Sequence, residues 1–284
     1  MNLCDRETLR SLLGRHGFHF SKSMGQNFLI DPAVPADIAN ASQAASDCGV
    51  LEIGPGVGCL TAELARRAGK VVSVELDKKL LPVLAETMSP FDNVEIVPGD
   101  VLKLDLPAVV AEKFTGLRPL VCANLPYNIT TPVLTKLVEA DCFESITVLL
   151  QKEVARRLAA PEGSSNGGAF TLYLQYFCET EILFSVPAGK FFPSPKVDSA
   201  VLRCVRRKAP AVTVEDEAFF FRVIRGAFLL RRKTLANSLA AALPERTRGE
   251  IQSAIAACNL PSAVRGEALT LSDFAALSLF LKEK

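Results

Sequence analysis

The stretch Asn124, Leu125, Pro126 and Tyr127 has the residue types of a slot for a planar group that carries an amino group. It follows residues 119–123, a short apolar run that predicts a buried parallel strand. Open α/β sheets bind ligands at the carboxyl ends of such strands. We expect the Asn124 side-chain oxygen and the Leu125 carbonyl to accept the two amine hydrogens, while Pro126 fixes the backbone and the Tyr127 ring stacks on the heterocycle. The alternative for a lone match is an Asx-type turn that only closes a strand.

A glycine loop upstream predicts a site for a nucleoside. Residues 50–53 form a predicted strand, which Gly54, Gly56, Gly58 and then a helix follow. The next predicted strand ends at Glu75, 21 residues after the first glycine, where a carboxylate can accept hydrogen bonds from two ribose hydroxyls. The spacing is not the Gly-x-Gly-x-x-Gly of dinucleotide sites. The loop alone does not decide between a pyrophosphate and an adenosyl ligand.

Two more carboxylates belong to the same region. Glu52 lies inside the strand before the glycine loop, where a carboxylate is costly to bury without a partner. One interpretation is that Glu52 accepts hydrogen bonds from the amides of the loop. The other is that Glu52 holds the loop beside a cationic ligand such as a sulfonium, and we favour this second interpretation. Asp100 follows the predicted strand 94–97 and is placed to accept from an exocyclic amine such as adenine N6. A Gly-Asp turn is the alternative for Asp100.

Composition bounds the class of protein. The chain has 284 residues, 49% of them hydrophobic, enough for one large domain or a medium domain plus a small one. No apolar run is long enough to cross a bilayer and the N-terminus is polar, so we expect a cytoplasmic protein. The eight cysteines are scattered, which fits reduced thiols. His16 and His19 form a His-x-x-His pair with no Cys or acidic partner evident in the sequence pattern, so we expect no metal site.

Charge is unevenly distributed along the chain. The net charge is +1, but residues 190–233 hold eleven Lys and Arg against four Asp and Glu. This asymmetry predicts one face that meets a polyanion. Within it, Arg231, Arg232 and Lys233 follow a predicted helix over 215–230. A solvated helix face is the alternative, and we favour contact with phosphate groups.

A loop with two prolines, residues 191–198, lies between two predicted strands. Its Phe191 and Phe192 must either be buried or stack on something. Core packing is the usual fate of phenylalanine, and the loop context gives base stacking about equal weight. A base that has swung out of its helix could then lie between Tyr127 and one of these two rings.

The run Arg206 to Pro210 marks a shift in composition. We therefore predict two domains, residues 1–207 and residues 208–284. Alternating strands and helices predict an α/β first domain, and the second domain is expected to consist of short helices.

Taken together, these residues resemble the ribosomal RNA adenine N6,N6-dimethyltransferase family, and its bacterial small-subunit branch most closely. The resemblance covers nearly the whole chain, and the core motifs show no departure from the family pattern. It implies an α/β, Rossmann-like class I S-adenosylmethionine-dependent methyltransferase fold with a mostly parallel seven-stranded sheet and a small all-α C-terminal domain. The motifs that carry it are Gln26 to Asp31, Glu52 to Gly58, Glu75, Gly99 with Asp100, Asn124 to Tyr127, Phe191 to Ser199, and Phe228 with Arg231 to Lys233.

The resemblance also implies an activity and its residues. The reaction would be methylation at N6 of two adjacent adenosines near the 3′ end of 16S rRNA, in the 30S subunit or its precursor, by a monomer with a role in subunit biogenesis. The methyl donor would be S-adenosylmethionine, residues 1–207 would bind it, and residues 208–284 would bind RNA. In the donor site, Asn27 and Leu29 would cover the cofactor, and the backbone of Gly54 would lie close to it. Glu75 would accept hydrogen bonds from its ribose, and Asp100 would accept one from its adenine amine. Asn124 would contact both the methionine end of the cofactor and the target base.

Two other activities remain open. The sequence Asn-x-Pro-Tyr also serves DNA adenine and protein glutamine N-methyltransferases, and a non-catalytic assembly or transcription factor could keep the fold. The predicted helical domain argues against the first of these. The intact glycine loop and Asn124 argue against the second.

Overall fold

The computed structural model describes residues 1–18 and 26–282; His19, of the His-x-x-His pair, lies outside them. The strands are β1 (Phe28–Leu29), β2 (Cys48–Ile53), β3 (Lys70–Glu75), β4 (Val94–Pro98), β5 (Arg118–Asn124), β6 (Ser145–Gln151), β7 (Cys178–Val186), β8 (Phe191–Phe192) and β9 (Ser199–Arg206). The helices are α1 (Arg6–Arg15), α2 (Ala33–Ala41), α3 (Cys59–Ala65), α4 (Leu81–Thr87), α5 (Leu106–Lys113), α6 (Thr130–Glu139), α7 (Lys152–Leu158), α8 (Ala169–Phe177), α9 (Glu217–Leu229), α10 (Leu235–Ala242), α11 (Arg248–Ala257) and α12 (Leu271–Lys282).

Seven strands form one sheet in the order β4-β3-β2-β5-β6-β9-β7. β2 runs parallel to β3 and β5, β3 parallel to β4, and β5 parallel to β6, whereas β9 is antiparallel to β6. This confirms the predicted mostly parallel seven-stranded sheet. The strand order changes direction between β2 and β5, and such a switch point opens a crevice at the carboxyl ends of the strands.

The two central strands are apolar because both faces of the sheet are covered. Every residue of β2 is buried, and Val121, Cys122 and Ala123 of β5 are fully buried. Strands buried on both faces are continuous apolar runs rather than alternating ones, which is why the sequence predicted them well. The polar residues Glu52 and Asn124 stand out against this pattern near the strand ends.

Helix α1 is capped at its N-terminus and amphipathic along its length. Asp5 caps it, since its carboxylate accepts a hydrogen bond from the Thr8 N–H at 2.8 Å. Leu9, Leu12 and Leu13 are buried on one face, at the spacing of successive helical turns. The opposite face carries exposed charged residues.

A two-stranded ladder, β1 with β8, was not predicted. The strands are antiparallel, with Phe28 opposite Phe192 and Leu29 opposite Phe191. Strands of two residues are too short to show a periodicity in sequence. The ladder joins the segment around residues 26–31 to the proline loop 191–198.

The chain divides into two compact units: Met1–Ala155 with Glu181–Arg206, and Arg156–Thr180 with Arg207–Lys284. One junction, at 206/207, lies one residue from the predicted boundary of 207/208, and the second unit also includes residues 156–180. Packing accounts for that inclusion: Tyr176 of α8 lies in the core of the second unit, its ring centroid 5.4 Å from that of Phe220, and its hydroxyl donates to Glu217 at 3.1 Å. An apolar segment such as 170–177 does not reveal its partner in sequence.

Three further features concern the described residues. No helix within residues 1–18 and 26–282 is both long and apolar enough to cross a membrane. The same ranges contain no group of three His, Cys, Asp or Glu side chains that could hold a metal ion. The eight cysteines are free thiols, and Cys48, Cys122 and Cys204 are fully buried.

Candidate active site

A cleft in the first unit lies at the carboxyl ends of the central strands, as the sheet order predicts. Its empty volume is about 1140 Å³, including space open to solvent. The structure brings together here residues from four strand ends and from the segment before α2. Of the predicted site residues, those that line the cleft are Asn27, Leu29, Gly54, Glu75, Asp100, Asn124, Leu125, Pro126 and Tyr127.

The glycine loop between β2 and α3 forms one wall. Gly54 has φ +69° and its N–H donates to the Val74 carbonyl at 3.0 Å. This left-handed conformation favours glycine. The protein atom nearest to a Cβ built on Gly54 is Cδ of Pro126, at 3.9 Å. The absence of a side chain therefore leaves room for a ligand to approach the backbone.

Glu75 ends β3 with a buried carboxylate, and only 6% of the residue is exposed. Its Oε1 accepts the Asp77 N–H at 2.7 Å, and burial raises the pKa of the carboxyl group above its ordinary value. Asp77 in turn accepts from the Gln26 side chain at 2.8 Å. A desolvated carboxylate is stabilised by any hydroxyl that donates to it, so Glu75 fits a vicinal diol such as a ribose.

Asp100 follows β4 and has two roles. Its Oδ1 accepts the Leu102 N–H at 3.0 Å and caps a short 3₁₀ turn, as the Gly-Asp alternative predicted. The residue also lines the cleft. Its other carboxylate oxygen has no hydrogen-bond partner within the described chain, so it can accept from an amine in the cleft.

Asn124 ends β5, and its amide has a defined orientation. The Nδ2 group donates to the Asn27 carbonyl at 3.4 Å. The amide nitrogen is thus engaged by the protein, and the side-chain oxygen is the atom left for a ligand. The Leu125 carbonyl accepts no hydrogen bond from the part of the chain that the structure describes, whereas its N–H donates to the Leu149 carbonyl at 3.1 Å. Two neighbouring acceptors therefore remain for an amino group.

Tyr127 is tethered by a residue that the site prediction did not include. Its hydroxyl lies 2.7 Å from the Oγ of Ser199, which is fully buried at the start of β9 opposite Gln151. Burial raises the pKa of the phenol. Ser199 lies at the end of the motif Phe191 to Ser199, but sequence separation hides its contact with Tyr127.

Glu52 is buried beneath the glycine loop, with only 1% of the residue exposed. Its Oε2 accepts the Ser73 hydroxyl at 2.6 Å. Burial raises the pKa of the carboxyl group to about 7. The side chain also lines the cleft, where a cationic group would stabilise its ionised form.

The raised pKa of Glu52 predicts a pH-dependent loss of stability. The ordinary value is 4.5 and the folded value about 7, so between these pH values only the folded state keeps the proton. Stability is then lost as pH rises through this window and the loss is constant above it. The glutamine in Glu52→Gln does not titrate, so this variant avoids the loss. We therefore expect the difference in free energy of unfolding between Glu52→Gln and wild type to grow by up to about 3 kcal/mol from the bottom to the top of the window.

Urea unfolding at several pH values between 4 and 8 measures this gain. Glu7→Gln is the control, because Glu7 is an exposed acid on α1 whose charge is solvated. Parallel stability curves for wild type and Glu52→Gln would show that Glu52 is not the titrating group.

The structure does not bring the two predicted phenylalanines to the cleft. Phe191 is 2% exposed and packs in the core, because its strand pairs with Leu29. A ring buried to this extent cannot stack on a base unless the loop moves. Phe192 is half-buried under the guanidinium groups of Arg6 and Arg10. Base stacking by Phe192 stays a prediction.

The predicted RNA-contact residues lie in the second unit. Arg231, Arg232 and Lys233 are exposed in the turn between α9 and α10, rather than on a helix. The Arg231 guanidinium donates to the Ser165 carbonyl at 3.4 Å and remains 71% exposed. A turn presents consecutive cations to solvent together, which suits contact with phosphates.

Comparison with known proteins decides the family. The sequence model described as "Ribosomal RNA adenine dimethylase" matches residues 17–274. The chain belongs to this family. Ribosomal RNA small subunit methyltransferase A of Geobacillus sp. strain WCH70 is 46% identical over 273 residues, covering 95% of this chain and 94% of that protein. The protein of the same name from Streptococcus gordonii is 44% identical over 288 residues, with 100% and 99% covered.

Two solved structures share the fold of this chain. The 23S rRNA methyltransferase ErmE is 28% identical with a TM-score of 0.69, covering 90% of this chain and 99% of that one. A dimethyladenosine transferase from Plasmodium falciparum has a TM-score of 0.74, covers 90% and 98%, and at 24% identity shows the fold alone. The Rossmann-like methyltransferase fold is thereby confirmed.

As a ribosomal RNA adenine dimethylase, the chain is an rRNA adenine dimethyltransferase that uses S-adenosylmethionine. When bound, this cofactor supplies a methyl group activated on a sulfonium. The residues of the cleft fit it: Glu75 offers a buried carboxylate, Asp100 a carboxylate oxygen without a partner in the described chain, and Gly54 open backbone. A buried carboxylate at Glu52 suits the cationic part.

The tether between Tyr127 and Ser199 should matter for catalysis rather than for folding alone. We expect Ser199→Ala to lower kcat about fivefold, since losing a net hydrogen bond costs about 1 kcal/mol. Tyr127→Phe loses the same bond, so the double variant should be no slower than the slower single variant. Ser199→Thr keeps the hydroxyl and should restore the rate. Methyl-transfer rates with saturating RNA and cofactor measure this.

The double-mutant cycle separates positioning from general damage. Rate losses that simply add, or a threonine variant as slow as the alanine variant, would contradict the tether.

Proposed function

We propose that this chain dimethylates N6 of two adjacent adenosines near the 3′ end of 16S rRNA, in the 30S subunit or its precursor, as a step in subunit biogenesis. The relatives named small subunit methyltransferase A support the choice of RNA, because they match the chain along its whole length. The observation that carries the proposal is the pair of acceptors at the end of β5, the Asn124 side-chain oxygen and the Leu125 carbonyl.

The chemical difficulty lies with the acceptor nitrogen. The lone pair of adenine N6 is delocalised into the ring, so the amine is planar and a poor nucleophile. By accepting both N6 hydrogens, Asn124 and Leu125 would hold the amine while it becomes tetrahedral and aim its lone pair into the donor site. Positive charge grows on N6 during transfer, and acceptor dipoles fixed beforehand act most strongly then.

The remaining residues have supporting roles in this proposal. Tyr127, fixed by Ser199, would stack on the adenine once the base has left its helix. Alignment of the two reactants supplies a further part of the rate. After the first methylation only one N6 hydrogen is left, so one of the two hydrogen bonds is lost and the pocket must let the substituted amine rotate.

We assign the donor site by the same reasoning. Glu75 would accept from the ribose hydroxyls and Asp100 from the adenine amine of S-adenosylmethionine. Gly54 would allow close approach, and Asn27 and Leu29 would cover the cofactor. Asn124 would lie between the donor and the target base.

The experiment uses small ribosomal subunits that lack the two dimethyladenosines. After incubation with the chain and S-adenosylmethionine, mass analysis of nucleosides from 16S rRNA should show two dimethyladenosines per subunit. Large subunits and double-stranded DNA, offered in parallel, should remain unmodified. The likeness to ErmE makes large-subunit RNA the second candidate; methylation there alone, or on neither RNA, would overturn the proposal.

Neutralising the basic turn tests the RNA-binding role proposed for the second unit. In the triple variant Arg231→Gln, Arg232→Gln, Lys233→Gln we expect weaker subunit binding and a slope of log K against log salt that is shallower by about 2 to 3. Affinity for S-adenosylmethionine should stay unchanged. A matched control neutralises three arginines that are each ion-paired with a glutamate, Arg15, Arg66 and Arg222.

An unaltered salt slope in the triple variant would exclude phosphate contact by this turn. The monomeric state and cytoplasmic location stay predictions, which sedimentation and cell fractionation would test.

A further inference from the structure

Two arginines of α1 share one aromatic ring. The Cζ atoms of Arg6 and Arg10 lie 4.6 and 5.0 Å from the centroid of the Phe192 ring. The two guanidinium carbons are therefore at most 9.6 Å apart, the sum of these distances. Stacking on an aromatic face orients the planar guanidinium group and restricts its rotamers.

Neither of the two cations is paired with an anion among the described residues. Both side chains are exposed, and no carboxylate lies within 4.0 Å of either among residues 1–18 and 26–282. The nearby Asp5 carboxylate is engaged by the backbone and hydroxyl of Thr8. Like charges four residues apart on a helix repel each other. An arrangement that gathers two of them at one ring is stabilised by an anion from outside the chain.

The position of this pair relates it to the cleft. Phe192 stands opposite Phe28 in the β1–β8 ladder, and Phe28 lines the cleft together with its neighbours Asn27 and Leu29. The guanidinium groups thus lie over a residue, Phe192, that pairs directly with a residue of the cleft wall. A nucleic acid strand that delivers a base to the cleft must run close to this wall.

We propose that Arg6 and Arg10, oriented by Phe192, bind phosphodiester groups of the RNA strand that carries the target adenosines. This inference rests on the proposed function for the identity of the RNA. The guanidinium fork matches phosphate oxygens in geometry, and the prior stacking lowers the entropy lost on binding. The site belongs to the first unit and is separate in sequence from the basic turn of the second.

The test compares two double variants that remove the same charge. Arg6→Gln with Arg10→Gln removes the proposed contacts. The control, Arg15→Gln with Arg66→Gln, removes two exposed arginines that are each ion-paired with a glutamate. Arg66 also stacks on an aromatic ring, since its Cζ atom lies 5.8 Å from the centroid of Phe91. Binding to small subunits that lack the dimethyladenosines is measured at several KCl concentrations, and S-adenosylmethionine affinity by calorimetry.

We expect the salt slope of the Arg6/Arg10 variant to be shallower by about 1.4 to 1.8, while the control variant keeps nearly the wild-type slope. Arg6→Lys with Arg10→Lys retains the charges and should recover most of the slope. Cofactor affinity should be the same in all variants, which also shows that they are folded.

A wild-type slope in the Arg6/Arg10 variant, or an equal loss in the control, would overturn the inference. The proposed function fails separately: subunits bound with the expected slopes but left unmethylated would refute the activity and keep the phosphate contact. Normal methylation with an unchanged slope would refute only the contact, and a wild-type chain that neither binds the subunits in a salt-dependent way nor methylates them would refute both.

Discussion

Asn124→Ala is expected to lose most methyl transfer while affinity for S-adenosylmethionine stays within about tenfold of wild type. The alanine removes an acceptor whose amide is held in place by the Asn27 carbonyl. In the proposed mechanism this acceptor contacts N6 as charge develops there. Loss of one such fixed hydrogen-bond group typically costs about 10²- to 10³-fold in rate. Single-turnover methylation of small subunits and calorimetry of cofactor binding measure the two quantities.

Asn124→Asp is the informative companion variant. It keeps an acceptor oxygen of the same reach but loses the amide that donates to Asn27. We expect its rate to lie between those of the alanine variant and wild type. If cofactor affinity fell as far as the rate in Asn124→Ala, the residue would be a cofactor-binding group and the role assigned to it in shaping N6 would be wrong.

Glu75→Ala should have the converse effect, a loss of cofactor affinity on the order of 100-fold with a smaller change in rate at saturating cofactor. Hydrogen bonds from hydroxyls to a charged group contribute about 1.5–3 kcal/mol each, part of which replaces bonds to water. Burial already raises the pKa of this carboxyl group, which shows that its charge is poorly solvated. A ribose hydroxyl that donates to the carboxylate therefore also stabilises this charge. Calorimetric titration with S-adenosylmethionine measures the loss.

The pH dependence gives a second check on Glu75. In the proposed donor site the ionised form of Glu75 accepts the ribose hydroxyls, so wild-type affinity should fall as pH drops through the raised pKa, and Glu75→Gln should show a weaker dependence. Glu112→Ala, at a side chain that is 72% exposed, is the control. Affinity unchanged by Glu75→Ala would remove Glu75 from the donor site.

The sheet and most of the cleft could be predicted because their determinants are local. Buried strands such as 50–53 and 119–123 are apolar runs with polar ends, and the carboxyl ends of parallel strands meet at one edge. Glu75, Asp100 and Asn124 therefore had to come together once the strands were found. Gly54 has a positive φ, a backbone conformation that glycine favours, so its residue type indicated the turn in advance.

What the sequence did not reveal depends on contacts between distant segments. The ladder of β1 with β8 consists of two residues on each side, and it decides that Phe191 is core rather than exposed. The tether from Ser199 to Tyr127 spans 72 residues. Residues 170–177 are an apolar segment that could pack on either unit, and only the rings of the second unit show where α8 belongs.

The short ladder also connects the proposed donor site with the outer surface. One of its strands borders the cleft, and the other carries the ring beneath Arg6 and Arg10. Because linkage between two binding events is reciprocal, RNA held at that ring should tighten binding of the methyl donor, and the donor should tighten binding of RNA by the same free energy. Hydrogen exchange at the Phe28 and Leu29 amides, followed with each ligand alone and with both, would show whether the enzyme senses one substrate through the other.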